Sequence, residues 1–531
     1  MTNETLTFTV LPVGVGPPRS VQYAAFLTTD NWDDWFKYST LYSLIVVDEA
    51  GEPHDIGGVK IGQFQMRQGQ RRPLIPDQFE KLSDAFFSVG QDDSYYQSLN
   101  DLGPTIRDQV LGALRDIAND ENIFNLAIAE DVTTVSLLRS VSATTVVSQF
   151  RRMASGGARL SQYQFSYTAP RQVASKQPPV ELTFEVNPES YPPTNIHVLI
   201  GRNGVGKTYV LNLMTRALIE KEGTLRRVGS FSFSSPEQSK NPFISSVGDE
   251  SQFSRLVSVT FSAFDPFEPL SQEAQHQSGI TYSYIGLKRA GASKVIGTPK
   301  SPEMLANEFV KSVSVCVKGA RFHRWRRALE VLEADPIFKE AGVTALADND
   351  DQTEEAGEFE KRGLALFRKL SSGHKIVLLT MSRLVENVEE RTLVLLDEPE
   401  AHLHPPLLSA FIRSLSELLV DRNGVAIIAT HSPVVLQEVP QTCVWKLRRT
   451  GQEANVERPQ AETFGENVGV LTREVFGLEV TQAGFHKLLQ QAIEDYGTFD
   501  AVVARFSGQL GAEALAILRG LVAARGSGKG S

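Results

Sequence analysis

Apolar and polar residues alternate every second position in the first segments of the chain, which predicts strands. Leu6, Phe8 and Val10 alternate with threonines. Leu41 to Val47 forms a second run, ending at the turn Asp48-Glu49-Ala50-Gly51-Glu52, and Val59 to Phe64 would complete a meander or hairpin. From Pro76 to Phe150 the pattern is mostly helical, and Gly156-Gly157 is the first clear break. Tyr163 to Tyr167 and Val180 to Val186 alternate again. A proline-containing loop from Asn187 to Thr194 then feeds the continuous apolar run Ile196 to Ile200. Leu256 to Phe261 and Ile280 to Ile285 are predicted as strands. Pro302 to Leu370 is predicted as helices interrupted by the acidic stretch Asp348 to Glu360, a solvated loop or a partner-docking segment. No heptads or internal repeats are sustained, which argues against a long coiled-coil arm.

Three of the apolar runs end in chemistry. Ile196 to Ile200 leads into Gly201-Arg202-Asn203-Gly204-Val205-Gly206-Lys207-Thr208, followed by the helical run Tyr209 to Ile219. This strand–loop–helix context is what the G-x-x-x-x-G-K-[ST] phosphate loop requires. Its glycines let backbone N–H groups wrap phosphates, and the helix N-terminus adds partial positive charge. Lys207 would reach the β- and γ-phosphates, and the Thr208 hydroxyl would ligate Mg²⁺. The run Thr392 to Leu396 ends in Asp397-Glu398. Acids at the C-terminal end of a buried parallel strand stand where an open α/β sheet binds ligands. Asp397 would hold Mg²⁺, and Glu398 would act as general base on the attacking water.

Val425 to Ala429 ends in Thr430-His431, and His431 would sense the γ-phosphate. Between the phosphate loop and these strands, Leu370-Ser371-Ser372-Gly373-His374 precedes a helix with Val377, Met381, Leu384 and Val388 on one face. Such a Ser/Ser/Gly start offers hydroxyls and free N–H groups to an anion, although an ordinary N-cap has the same composition.

Composition adds exclusions. The 531 residues carry 41% hydrophobic and 22% charged side chains, an ordinary globular balance over several domains. No apolar run approaches the length of a membrane span, and Met1 to Val13 lacks the form of a secretory signal. Two distant cysteines, Cys316 and Cys443, give no disulfide framework or zinc ribbon, so a cytoplasmic setting is expected. The net charge of −10 argues against a broadly basic surface. Locally, Arg321-Phe322-His323-Arg324-Trp325-Arg326-Arg327 mixes cations with aromatics. It could contact nucleic acid, or be a solvated helix with its aromatic residues buried.

The order of phosphate loop, Ser-Ser-Gly signature, Asp-Glu strand and Thr-His strand resembles the ABC-type ATPase head, from about Tyr163 to Lys446. The superfamily includes transporters, double-strand-break-repair and chromosome ATPases, and the overcoming-lysogenization-defect (OLD) family. Gly-x-Asn-Gly-x-Gly-Lys-Thr looks like the repair branch, and Asp397-Glu398-Pro399-Glu400-Ala401-His402-Leu403-His404-Pro405 like the OLD branch. The strand and helix patterns before Tyr163 predict an α+β N-terminal region that resembles no family. From there on the resemblance implies an α/β fold, an ABC-type head with a P-loop parallel sheet, an antiparallel β subdomain and a helical insertion near 302–370. It divides the chain into 1–155, 156–450 and a helical tail, 451–531.

It further implies ATP and Mg²⁺ as cofactors. Nucleotide would lie on Gly201, Asn203, Gly204, Gly206, Lys207 and Thr208 of one head. Ser371, Ser372 and Gly373 of a second head would complete the site, in a homodimer or higher oligomer sandwiching ATP. Two positions depart from the family pattern. The lid glutamine after Phe261 is missing, with Asp265 the candidate replacement, and His404 stands where an aspartate is usual.

The head and the tail from Glu462 to Leu478 look most like ATPase subunits of Septu-type and retron-associated anti-phage systems, which act with a separate nuclease. That reading stands beside an OLD-like nuclease, a DNA-repair ATPase and a transporter subunit. The first expects no membrane partner and a chain that is not itself a nuclease.

Overall fold

The computed structural model describes residues 5–18, 21–30, 37–66, 69–157, 159–171, 178–220, 225–234, 253–261, 269–270, 280–289, 298–317, 321–347, 358–450, 453–476 and 484–527. An N-terminal sheet contains β1 (Thr7–Leu11), β2 (Ala24–Thr29), β3 (Leu41–Val47), β4 (Pro53–Gln63), β5 (Gln78–Phe79) and β6 (Phe86–Gly90), in the order β5-β1-β2-β3-β4-β6. β1 and β2 are parallel, and the other pairs are antiparallel. The expected helical stretch from Pro76 is corrected here: β5 and β6 occupy its start, and helix begins at Asp93. A Cβ on Gly90 would lie 2.4 Å from the Tyr95 ring, so glycine lets β6 close tightly on the helix Asp93–Asp101. Tyr95, Tyr96, Leu99, Val110, Leu114 and Phe150 then bury one face of the sheet.

Two further sheets form the centre. β7 (Tyr163–Thr168), β8 (Glu181–Val186) and β10 (Ser230–Ser234) make a small antiparallel sheet, in the order β10-β7-β8. β9 (Ile196–Ile200), β11 (Arg255–Thr260), β12 (Thr281–Gly286), β13 (Thr392–Asp397), β14 (Val425–Thr430), β15 (Val444–Thr450) and β16 (Glu453–Glu457) make a seven-stranded sheet, in the order β12-β11-β13-β14-β9-β15-β16. All its pairs are parallel except the terminal hairpin β15–β16. That hairpin continues the sheet past residue 450, where helix was expected to begin.

Both faces of the large sheet are covered, which is why its central strands β13 and β14 are long apolar runs. Val198, Val394, Leu396, Ala426 and Ile428 face the helices Pro302–Cys316, Arg321–Leu332, Ser372–Asn387 and Pro405–Asp421. Their neighbours Leu199, Leu393, Leu395 and Ile427 face the helix Lys207–Ile219 and the small sheet. Helices Val468–Phe476, Phe485–Tyr496, Phe499–Arg505 and Ala512–Ser527 follow. In the helix Phe485–Tyr496, Leu489 and Ile493 are buried, whereas Phe485 and Leu488 are exposed. Residues 348–357 of the acidic stretch, and Asp265, lie outside the described residues.

The N-terminal region is fastened to the head by charge. Arg422, 4% exposed, donates to Asp93 at 2.8 Å and lies 3.9 Å from Asp92. Asp93 also accepts from Arg159 Nε at 2.7 Å, Arg324 pairs with Asp92 at 2.8 Å, and Arg152 pairs with Glu390 at 2.6 Å. Burial alone would raise the Asp92 carboxyl, but Arg324 and Arg422 outweigh it and hold it well below the usual range. Arg321 donates to the Ser140 carbonyl and Arg327 pairs with Glu417, while Trp325 is buried and donates to the Ser382 hydroxyl. The basic–aromatic segment thus places these cations against groups of the chain itself.

Candidate functional site

Parallel pairing gathers the three chemical segments at one edge. β13 neighbours β14, and β14 neighbours β9, with Asp397 opposite Ala429 and Thr430 opposite Ile200. The acids after β13, the histidine after β14 and the loop after β9 therefore emerge together, where open α/β sheets bind ligands.

The loop's shape follows from its glycines. Gly204 and Gly206 have φ of 81° and 103°, a region that side chains disfavour. A Cβ on Gly201 would stand 2.4 Å from the Leu447 carbonyl oxygen. The helix Lys207–Ile219 starts at Gly206 without a side-chain cap, so its first N–H groups suit an anion. Lys207 is buried, and its Nζ donates to the carbonyls of Gly201 at 2.9 Å and Arg202 at 3.0 Å. Burial pulls its ammonium below the usual lysine range, against the opposing pull of Glu398, Glu400 and Asp397. Thr208 Oγ1 donates to Asp397 Oδ1 at 3.1 Å, the two oxygens that a divalent ion would share.

Beyond Asp397 the chain turns sharply. Glu398 adopts φ 46° and ψ 59°, and its N–H donates to the Ala429 carbonyl at 2.8 Å. A left-handed glutamate is uncommon, and such strain concentrates at working sites. His431 Nδ1 lies 3.8 Å from Glu398 Oε1 and 3.1 Å from Glu400 Oε1. The same Glu400 oxygen accepts from the Thr430 hydroxyl at 2.6 Å and the His431 backbone N–H at 2.7 Å. Glu400 was not assigned a role from the sequence. Its signal is a second acid two residues beyond Glu398, and its bonds hold the His431 turn beside Glu398.

The structure thus brings Gly201, Asn203, Gly204, Gly206, Lys207, Thr208, Asp397, Glu398 and His431 into one neighbourhood. The signature is seated on the following turn. Ser371 caps the helix Ser372–Asn387, its Oγ accepting the His374 N–H at 3.4 Å. A Cβ on Gly373 would come 2.6 Å from the His402 carbonyl oxygen, so glycine permits this helix start to press against the 399–402 turn. Ser371 and Ser372 are exposed.

Residues 318–437, from the helical insertion through β14, match the family model described as "AAA domain, putative AbiEii toxin, Type IV TA system". Over 538 aligned residues the chain is 40% identical to protein ea59 of Escherichia phage lambda, covering 99% of each chain. Among solved structures, an ATP-binding cassette of an ABC transporter is 14% identical, with a TM-score of 0.30, over 61% of this chain and 98% of that one. UvrA2 from Deinococcus radiodurans is 12% identical, with a TM-score of 0.25, over 54% of this chain and 35% of that one.

Proposed function

This chain belongs to the family of protein ea59 of Escherichia phage lambda, and we propose that it binds and hydrolyses Mg-ATP in a head-to-head dimer that controls a separate effector. The observation that carries the nucleotide reading is the convergence at one sheet edge. Lys207 sits on its own loop carbonyls, Thr208 is bonded to Asp397, and Glu398 lies beside the Glu400–His431 pair. Lys207 would exchange its carbonyl partners for phosphate oxygens. Thr208 and Asp397 would hold Mg²⁺, which would bridge and polarise the phosphates. Glu398 would take a proton from the attacking water, and His431, fixed by Glu400, would hydrogen-bond the γ-phosphate.

The dimer reading is supported by the exposed Ser371 and Ser372 at a helix start, which a second head could turn toward the phosphates. Regulation of an effector, a nuclease by preference, rests on the Asp-Glu-Pro-Glu turn and the helical tail. A role in phage defence fits a family with a phage-borne relative and a partial match to a description naming a toxin–antitoxin system. Lys207→Ala is expected to abolish ATP binding measured by calorimetry, because it removes the buried cation at the phosphates. Parental affinity in that variant would sink the nucleotide reading. The effector reading is tested by co-purification with the product of a neighbouring gene. The chain alone is expected to leave DNA and RNA intact, and cleavage lost on mutating a carboxylate outside the ATP site would make it a nuclease itself.

A further inference from the structure

Asp335, His374 and His404 come from three different elements and meet beside the signature. Asp335 caps the helix Pro336–Ala341 in the helical insertion, His374 lies in the first turn of the signature helix, and His404 caps the helix Pro405–Asp421. His374 Nε2 is 3.0 Å from Asp335 Oδ1, and His404 Nε2 is 3.5 Å from Asp335 Oδ2. One donor atom from each of the three lies within 4.8 Å of the others, and among the described residues no other cluster of this kind occurs.

We propose that these three side chains form a site for Zn²⁺ or a similar transition-metal ion, clamping the helical insertion to both the signature helix and the turn after Glu398. The donor set is two imidazoles and one carboxylate, which suits zinc and its neighbours rather than Mg²⁺ or Ca²⁺. Bonds of about 2.0–2.1 Å in a tetrahedron place ligand atoms about 3.3 Å apart. The measured contacts, 3.0 Å from His374 to Oδ1 and 3.5 Å from His404 to Oδ2 of the same carboxylate, leave the three donors within 4.8 Å of one another, a span that a small movement of the exposed His404 would close.

The surroundings also fit. His374 Nδ1 lies 2.6 Å from Ser371 Oγ. With the proton on Nδ1, the ring donates to Ser371 and turns its Nε2 lone pair toward Asp335, the outer-shell support typical of metal-bound histidine. Phe338 packs edge-on against the His374 ring at 4.8 Å and walls the site on one side. Asp335 and His374 are each 2% exposed, whereas the His404 side chain is 49% exposed. His404 can therefore move onto an ion and leave the fourth position open to water. Its Nδ1 accepts only a long 3.5 Å cap bond from the Leu407 N–H, which costs little to release.

A hydrogen-bonded trio without an ion would also hold Asp335 against His374, so the test must read metal binding itself. Zinc binding is independent of the ATPase reading, and only its effect on turnover rests on that reading. The full-length chain, stripped with chelator and kept in excess Mg²⁺ to occupy the carboxylates near Lys207, is titrated with Zn²⁺ against a chromophoric competitor. One zinc per chain is expected, with a raised melting temperature. Co²⁺ in its place should show the intense visible bands of a four-coordinate ion. His404→Ala, an exposed change that leaves the core intact, should weaken zinc at least about tenfold and lose the melting shift. His402→Ala, two residues away and outside the trio, should bind like the parent. Absence of bound zinc, or zinc and melting shift retained in His404→Ala, would overturn the site.

Discussion

Glu398→Gln should leave ATP affinity close to the parent's and lower turnover by about 10²- to 10⁴-fold, the usual contribution of a positioned general base. Glutamine keeps the shape of the side chain. The φ 46° turn is held by the Glu398 N–H to the Ala429 carbonyl, a backbone bond that the substitution does not touch. Lys207, Thr208 and Asp397 remain in place for the nucleotide. What is lost is the carboxylate that would take the proton from water under the proposed function. In a head-to-head arrangement the uncleaved nucleotide should hold two chains together, so the variant with ATP should run as a dimer in light scattering. Mixing Lys207→Ala with Ser372→Arg chains, each inactive alone, should restore part of the activity, because one composite site stays whole. A Glu398→Gln chain that hydrolyses ATP at the parental rate would remove Glu398 from its role. A mixture as dead as its parents would remove the composite site.

The edge that gathers the phosphate loop, the acids and His431 was legible in the sequence because its determinants are local. An apolar run of five or six residues ending in glycines, acids or Thr-His specifies a buried parallel strand and what stands at its end, and β9, β13 and β14 formed as expected. Elements whose identity depends on distant partners were not legible. Ala24–Thr29 lacks alternation and becomes a strand by pairing between β1 and β3. Phe86–Gly90 pairs with β4 and closes onto Tyr95, although its surroundings have helical periodicity. β15 is drawn into the sheet by β9, far back along the chain. The trio Asp335, His374 and His404 has no metal-ligand spacing at all, since the fold alone joins it. Asp92 and Asp93 likewise carry no local signal of their role, since Arg324 and Arg422 reach them from far along the chain.

Those arginines give the second large effect. Arg422→Met should destabilise the protein by about 3–5 kcal/mol, the cost of removing one partner from a buried ion pair. Asp93 is fully buried and would keep Arg159, the Gln149 amide and its contact with Asp92, and Asp92 would keep Arg324. The position matters as much as the charge. Arg422 lies just before β14, and its carbonyl accepts the N–H of Arg391, which leads into β13. It therefore ties the N-terminal region to the starting ends of the two strands whose far ends carry Asp397, Glu398 and His431. Six residues of strand separate the two ends by roughly 20 Å, so the lost charge cannot act on nucleotide directly. The expected pattern is a lowered denaturation midpoint in urea with nearly parental ATP affinity at low temperature. Adding Asp93→Leu to Arg422→Met should recover part of the loss, since it removes the acid left without its partner. An unchanged midpoint in Arg422→Met would show that the buried charges do not fasten the two regions. A midpoint that falls together with ATP affinity would mean that the N-terminal region shapes the nucleotide edge itself.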